Sequence, residues 1–336
     1  MEPGKEIAKC LLQITQLIET DQMNAASALM QSVVADHPDW VDERLQAELQ
    51  LIMKQMEYKI ALKDYTYLRS LALVYKYCEM HYGQIGIQQV RDAAQSVSAG
   101  KDDLLPEHDT IWWCWLQGID NAPEIVKACY RSLQKLGRRI VVLDEGNIPQ
   151  YVELPAHVME KYQRGIIGRA HFTDLVRLEL LTRLGGTWID ATTWVSGTER
   201  IIPLLEGEDL FFFRAGNVSE YIIFDNWFMH ARKPSCILEA TRKMQYAYWA
   251  YEDEAKHYFI FHLMMTLACQ HFQEEYDRIP VFSNEPCHVL QYELLRPYKP
   301  RRWGQIMEMS DIHKLTYKIE GAQREDTFLQ HLLLEG

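Results

Sequence analysis

The feature that most restricts the fold of this chain is an alternation of patterns in its middle third. Ile111 to Leu116 (IWWCWL) is aromatic and β-rich, Asn121 to Gly137 reads as a helix capped by Asn121 with Pro123 near its start, and Ile140 to Leu143 (IVVL) reads as a short buried strand. Strand, helix and strand in that order need a crossover, so the two strands lie parallel and ligands belong beyond their carboxyl ends. Trp115, Gln117, Asp144 and Glu145 fall at those ends. A second unit follows: a helix from about Thr173 to Leu184, a stop at Gly185-Gly186, a strand from Thr187 to Val195 and another from Leu210 to Phe213. Helices over Ser235–Ala250 and Asp253–Phe272 dominate the last third.

Before this alternation the pattern differs. Up to about residue 98 the chain has only Pro3 and Pro38, few glycines, and apolar residues at helical spacing such as Leu45, Leu49, Ile52, Met53 and Met56. Breaks are expected at Asp36-His37-Pro38 and at Tyr82-Gly83, and the polar, turn-rich stretch from Ser98 to Pro106 reads as a boundary. The expected architecture is an all-helical module over residues 1–103 and an α/β domain over 104–336, a mixed sheet flanked by helices. A chain shortened to begin near Leu104 is then expected to keep its ligand site.

Composition removes several classes of function. Lys and Arg number 35 against 47 Asp and Glu, and a net charge of -12 argues against a nucleic-acid binder, which needs a basic face. The seven cysteines are scattered without a C-x-x-C pair, which argues against a disulfide framework or a zinc site. Met1 to Lys9 does not resemble a signal peptide and no apolar run reaches membrane-spanning length, so a cytosolic protein is expected.

The most informative stretch is HFTDLVRLELLTRLGGTWIDATTW, His171 to Trp194. Asp174 and Arg177 are three apart, so a helix presents both on one side, while Phe172, Val176, Leu180 and Leu184 form its core-facing stripe. In the strand that follows, a period of two puts Trp188, Asp190, Thr192 and Trp194 on one face. An acid within such an apolar strand is costly to bury without a partner or ligand.

With IWWCWLQGIDNAPEIVKAC, LDEGNIPQYVELP and HKLTYK in the same order, this stretch resembles the capsular polysaccharide synthesis glycosyltransferases, from Thr110 to Lys318. The resemblance implies a glycosyltransferase-A fold that moves a sugar from a nucleotide-diphosphate sugar to an acceptor hydroxyl on a surface polysaccharide or lipid-linked precursor. It further implies work in the cytosol or at the inner face of the plasma membrane. Trp113 or Trp115 would stack on the nucleobase, and Gln117 and Gly118 would lie against the nucleoside. Asp174 and Arg177 would hold the donor sugar and its diphosphate. Asp190 stands as the first acid of a D-x-D motif, with Trp188 on its face, and Asn226 would bond a sugar hydroxyl. His313 and Lys314 would lie over the phosphates.

The chain departs from that pattern at Thr192, where the second acid, usually the direct metal ligand, is a hydroxyl. A hydroxyl is a weak ligand for a hard cation, so manganese or magnesium is expected only through Asp190, weakly and with the donor bound. Loss of the second acid also keeps open a non-catalytic subunit that binds nucleotide-sugar or scaffolds a synthesis complex. In either case the helical module is free to contact a protein partner.

Plainer roles compete for several of these residues. Asp174 and Arg177 alone would read as a surface ion pair. At least Trp112 is expected in the core, as is His262, and His257 and His262 lie on different faces of their helix and share no metal. Glu252 to Glu254 read as a solvated helix start.

Overall fold

In the computed structural model the described residues are 3–20, 22–36, 43–96, 103–319 and 326–335. The chain divides into two compact units, Met1–Ser70 and Leu71–Gly336. His37 and Pro38 of the first expected break, and residues 98–102 of the Ser98–Pro106 stretch, lie outside the described residues.

The first unit contains α1 (Pro3–Glu19), α2 (Met23–Asp36) and most of α3 (Glu43–Cys78). Its core joins Ile14 and Ile18 to Ala26, Ile52 and Met56, the helical spacing that the sequence displays. Leu49 is also buried but Met53 is exposed, and the side chain of Leu45 lies outside the described ones.

The second unit opens with the end of α3. At the expected break near Tyr82 the chain stays helical, through a π turn at Glu79–Gly83 into α4 (Gln84–Ser96). Next come β1 (Ile111–Cys114), α5 (Glu124–Ser132), β2 (Ile140–Leu143), α6 (Ala156–Gln163) and α7 (Arg169–Arg183). After them come β3 (Gly186–Asp190), β4 (Thr193–Val195), α8 (Ile201–Gly207), β5 (Leu210–Ser219) and β6 (Ile222–Ala231). The remainder is α9 (Cys236–Tyr251), α10 (Ile260–His271), α11 (Gln273–Arg278), α12 (Glu285–Glu293), α13 (Pro300–Met309), β7 (Ile312–Lys314) and α14 (Phe328–Glu335).

Five strands form one mixed sheet in the order β2-β1-β3-β6-β5. β1 pairs parallel with β2 and β3, as the crossover argument requires, and β6 and β5 continue antiparallel. All four residues of β1 are buried, as for a strand inside a sheet between two parallel neighbours. α7 packs on β3, α10 on β6, and α9 on both helices. Glu179, buried in α7, accepts hydrogen bonds from Arg242 (2.8 Å) and Tyr246 (2.6 Å) of α9, so its charge enters the interior already paired.

The joint between α7 and β3 accepts only glycine. Gly185 and Gly186 have φ of 77° and 97°, and a Cβ on Gly186 would lie 2.4 Å from the Thr110 carbonyl oxygen. That closeness lets Thr187 N–H bond the Thr110 carbonyl and seats β3 beside β1.

Several expectations are corrected here. The single strand Thr187–Val195 is two, because a turn at Ala191–Thr192 breaks it and sends β4 into a separate two-stranded sheet with β7. Thr192 therefore does not continue the face of Trp188 and Asp190, and Trp194 is buried. Asn121 does not cap α5: its amide donates to the Gln117 carbonyl and Pro123 holds the cap position. The helix expected from Asp253 begins only at Ile260, since Glu252 to Phe259 are held by side chains from other elements.

The compact units divide between Ser70 and Leu71, before the Ser98–Pro106 stretch. Residues 71–96 belong with the sheet, not with the first helices: α4 packs on α9 so closely that a Cβ on Gly86 would lie 2.6 Å from the Ala240 carbonyl oxygen. A close helix crossing needs a small residue, which a reading based on helix periodicity alone does not reveal.

Candidate functional site

The carboxyl ends of β1 and β3 lie side by side, with Cys114 opposite Asp190 in register. Beside them a charged cluster converges from four elements. Arg177 of α7, only 3% exposed, stands between two carboxylates: it reaches Asp174 at 3.1 Å and donates to Asp190 Oδ1 at 3.0 Å. Its guanidinium lies 4.7 Å over the Trp188 ring, whose Nε1–H donates to the same Asp190 oxygen at 2.9 Å. Trp188 is thus a buried support for Arg177 and Asp190 and presents no surface to a ligand.

Lys314 enters from β7, which pairs with β4 so that Lys314 faces Thr193. Its ammonium donates at 2.8 Å to Asp190 Oδ2 and at 2.8 Å to the Thr192 hydroxyl. The turn that breaks the strand is what brings Thr192 to this contact. Asn226 of β6 completes the cluster, its amide donating to Asp174 Oδ1 at 2.9 Å. Asn226 lies where the pairing of β6 with β5 is irregular, between Phe224 and Met229.

The two carboxylates differ in their electrostatics. Burial raises the pKa of Asp190, but Lys314 and Arg177, with hydrogen bonds from Lys314 and Trp188, outweigh it and hold the group below its usual range. For Asp174 burial wins: it pushes the pKa up to about 7, with Arg177 opposing and Asp190 adding to the rise. The folded state therefore binds this proton more tightly than the unfolded chain does. The stability this gives is full below the ordinary carboxyl pKa of 3.8 and is lost as pH rises through about 7. The melting temperature of the protein, compared with that of an Asp174→Asn variant, should fall steadily between those limits, as calorimetry at a series of pH values would record.

Other expected site residues fall elsewhere. Trp113 is fully buried against Tyr130, so of the two candidate stacking residues only Trp115, half-buried and edge-on to Tyr317 at 5.3 Å, lies near a surface. Gln117 is exposed and Gly118 adopts φ 81° in the turn after β1. His313 is not over the cluster. Alternation along β7 turns it away from Lys314 into the interior, where it is fully buried, meets the Ser196 hydroxyl at 3.0 Å and packs on Trp194. Its pKa is pushed down to about 3 by burial, so it is a neutral core residue. His262 is likewise buried between aromatic rings, as expected.

Two exposed tyrosines that the sequence motifs do not announce also belong to this region. Tyr258, 67% exposed, precedes α10, and its phenol pKa is raised, first by partial burial of the hydroxyl and then by the negative charges of Asp174 and Asp190. Tyr317 is 44% exposed. Tyr317 lies within the HKLTYK string and was within reach of inspection; no local pattern marks Tyr258.

The residues present do not suit a resident divalent cation. Each oxygen of Asp190 already accepts a cationic donor, the Thr192 hydroxyl is bound by the same ammonium, and Asp174 is held by Arg177 and Asn226. Among the described residues no group of three or more His, Cys, Asp or Glu is placed to hold a metal ion.

Comparison with known proteins gives one family match. No curated protein matches the chain. Among solved structures, one titled PaToxG Glycosyltransferase matches with 13% identity and a TM-score of 0.36, covering 82% of this chain and 96% of that one. The family profile described as capsular polysaccharide synthesis protein matches residues 58–332, which takes in α4, the sheet, every residue of the charged cluster and β7. Matched over most of its length, this chain belongs to the capsular polysaccharide synthesis protein family.

Proposed function

We propose that the chain is a glycosyltransferase of hexosyl type that moves a sugar from a nucleotide-diphosphate sugar to a hydroxyl of a capsular-type polysaccharide or its lipid-linked precursor. The observation that carries this reading is Arg177 and Lys314 converging on opposite oxygens of Asp190 at the carboxyl end of β3. Departure of a nucleoside diphosphate concentrates negative charge on the leaving oxygens. Fixed cations aimed at that charge lower the barrier without having to reorganise. In the free protein Asp174 and Asp190 neutralise these cations and hold them in place. Protonation of Asp174, with a pKa of about 7, loosens one of those pairings and leaves Arg177 more available to phosphate. Asp174 and Asn226 then offer donors and acceptors to sugar hydroxyls, and Trp115, Gln117 and Gly118 supply the nucleoside side on a glycosyltransferase-A-like frame.

Charge stabilisation in this scheme comes from side chains. Manganese or magnesium, where present, arrives with the donor diphosphate. The net charge of -12 suits no nucleic-acid partner. Among the described residues no helix is long and apolar enough to cross a membrane, and the site of action in this reading is the cytosol or the inner face of the plasma membrane, where nucleotide-sugars are met. Residues before Leu71 are left for a protein partner.

Incubation of the purified protein with uridine-, guanosine- and thymidine-diphosphate sugars tests the reading. Release of nucleoside diphosphate from at least one donor is expected without acceptor, and it should persist when divalent cations are chelated. Binding without release from any donor would instead mark a non-catalytic subunit.

A further inference from the structure

Resting on the glycosyl-transfer reading, we infer that the segment Glu252–Phe259 is the acceptor wall of the site. Tyr258 is its stacking surface for a pyranose ring, and Tyr77 and Tyr82 are the residues that position it. The segment joins α9 to α10 without regular structure, yet it is tied down at its base. Glu252 Oε1 accepts hydrogen bonds from the hydroxyls of Tyr77 and of Tyr82 (2.7 Å for Tyr82), and Glu252 Oε2 pairs with Lys256 at 2.9 Å. Lys256 also lies 5.0 Å over the Tyr77 ring. Tyr248 bridges the same loop, donating to the Glu254 carbonyl at 2.7 Å and accepting from Lys256 N–H at 2.9 Å. Lys161 donates to the Glu252 carbonyl at 2.9 Å and pairs with Asp253.

These contacts fix the base of the segment and with it the direction of the residues that follow. Tyr258 is delivered over the first turns of α7: its ring lies 6.0 Å from that of His171, one turn before Asp174. It stays two-thirds exposed there, within the electrostatic reach of Asp174 and Asp190, and Tyr317, edge-on to Trp115, is exposed as well. Apolar ring faces above buried hydrogen-bonding groups match a pyranose, which has C–H faces and hydroxyl edges. The donor occupies the interior cluster in the proposed reaction, so the ring met by the outermost tyrosine is the acceptor's. Tyr77 and Tyr82 touch no substrate in this arrangement; they act through Glu252.

Transfer to methyl glucopyranoside, galactopyranoside and mannopyranoside, from whichever donor the full-length protein hydrolyses, tests the inference. Tyr258→Ala should raise KM for the pyranoside about tenfold while Tyr258→Phe keeps it, as loss of a ring contact predicts. Combined Tyr77→Phe and Tyr82→Phe substitution should raise the same KM about threefold and leave the donor KM unchanged. Unaltered pyranoside KM in all variants, or no transfer to any of the pyranosides by a protein that hydrolyses donor, overturns the inference. An equal rise in donor KM overturns it too. Absence of donor hydrolysis in the wild type overturns the glycosyl-transfer reading itself, and this inference falls with it. If the double variant melts early, the exposed Tyr258 variants decide alone.

Discussion

Arg177→Ala should abolish donor turnover and destabilise the protein by about 3–5 kcal/mol, the usual cost of leaving buried charges without their partner. Arg177 links Asp174 to Asp190, and its removal leaves two carboxylates facing each other with Lys314 and Trp188 still on Asp190 and Asn226 on Asp174. Because that variant risks failing to fold, Arg177→Lys is the more telling change. A lysine keeps the charge but lacks the planar fork that reaches both carboxylates and the Trp188 ring. Turnover should fall by about 10²–10³, the range for losing one aimed electrostatic donor. Asp190→Asn should spare the fold and lose comparable activity, since it removes the charge that holds Lys314 in place. Nucleotide release measured beside scanning calorimetry separates the two effects; an Arg177→Lys protein that turns over donor at the wild-type rate would remove Arg177 from the mechanism.

A chain beginning at Leu104 should not fold cooperatively, whereas one beginning at Leu71 should. Removing residues 71–96 takes away Leu71, Cys78, Tyr82, Ile87 and Val90, all buried, and exposes the surface of α9 on which α4 lies. At about 2 kcal/mol for each buried side chain the loss is on the order of 10 kcal/mol. That is comparable to the whole stability of an ordinary domain, about 5–15 kcal/mol. Urea denaturation followed by tryptophan fluorescence checks this. A sharp transition from the chain that starts at Leu104 would return the boundary to the linker that the composition suggests.

The sequence by itself determined the parts of this protein that depend on neighbours along the chain. The strand-helix-strand order around Ile111 and Ile140 favoured the parallel pairing of β1 with β2, because a connection long enough to hold a helix returns the chain to the end where β1 began, whereas a tight hairpin would have paired them antiparallel. The three-residue spacing of Asp174 and Arg177 put them on one helical face, and the paired glycines before Thr187 announced a joint that no side chain fits. The order of these motifs was sufficient to suggest the family.

Tertiary structure decided what depends on partners distant in sequence. Lys314 reaches Asp190 across 124 positions, and whether Lys314 or His313 faces the cluster was fixed only by the register of β7 on β4. A one-residue slip would exchange them, and no local pattern sets that register. Trp113 and Trp115 have the same local character, yet burial assigns one to the core and the other to the rim. The end of the helical region was legible only as composition, whereas the division into compact units, between Ser70 and Leu71, depends on which buried side chains meet. Burial is a property of the assembled chain, and so are the raised pKa of Asp174 and the hold of Tyr77 and Tyr82 on Glu252.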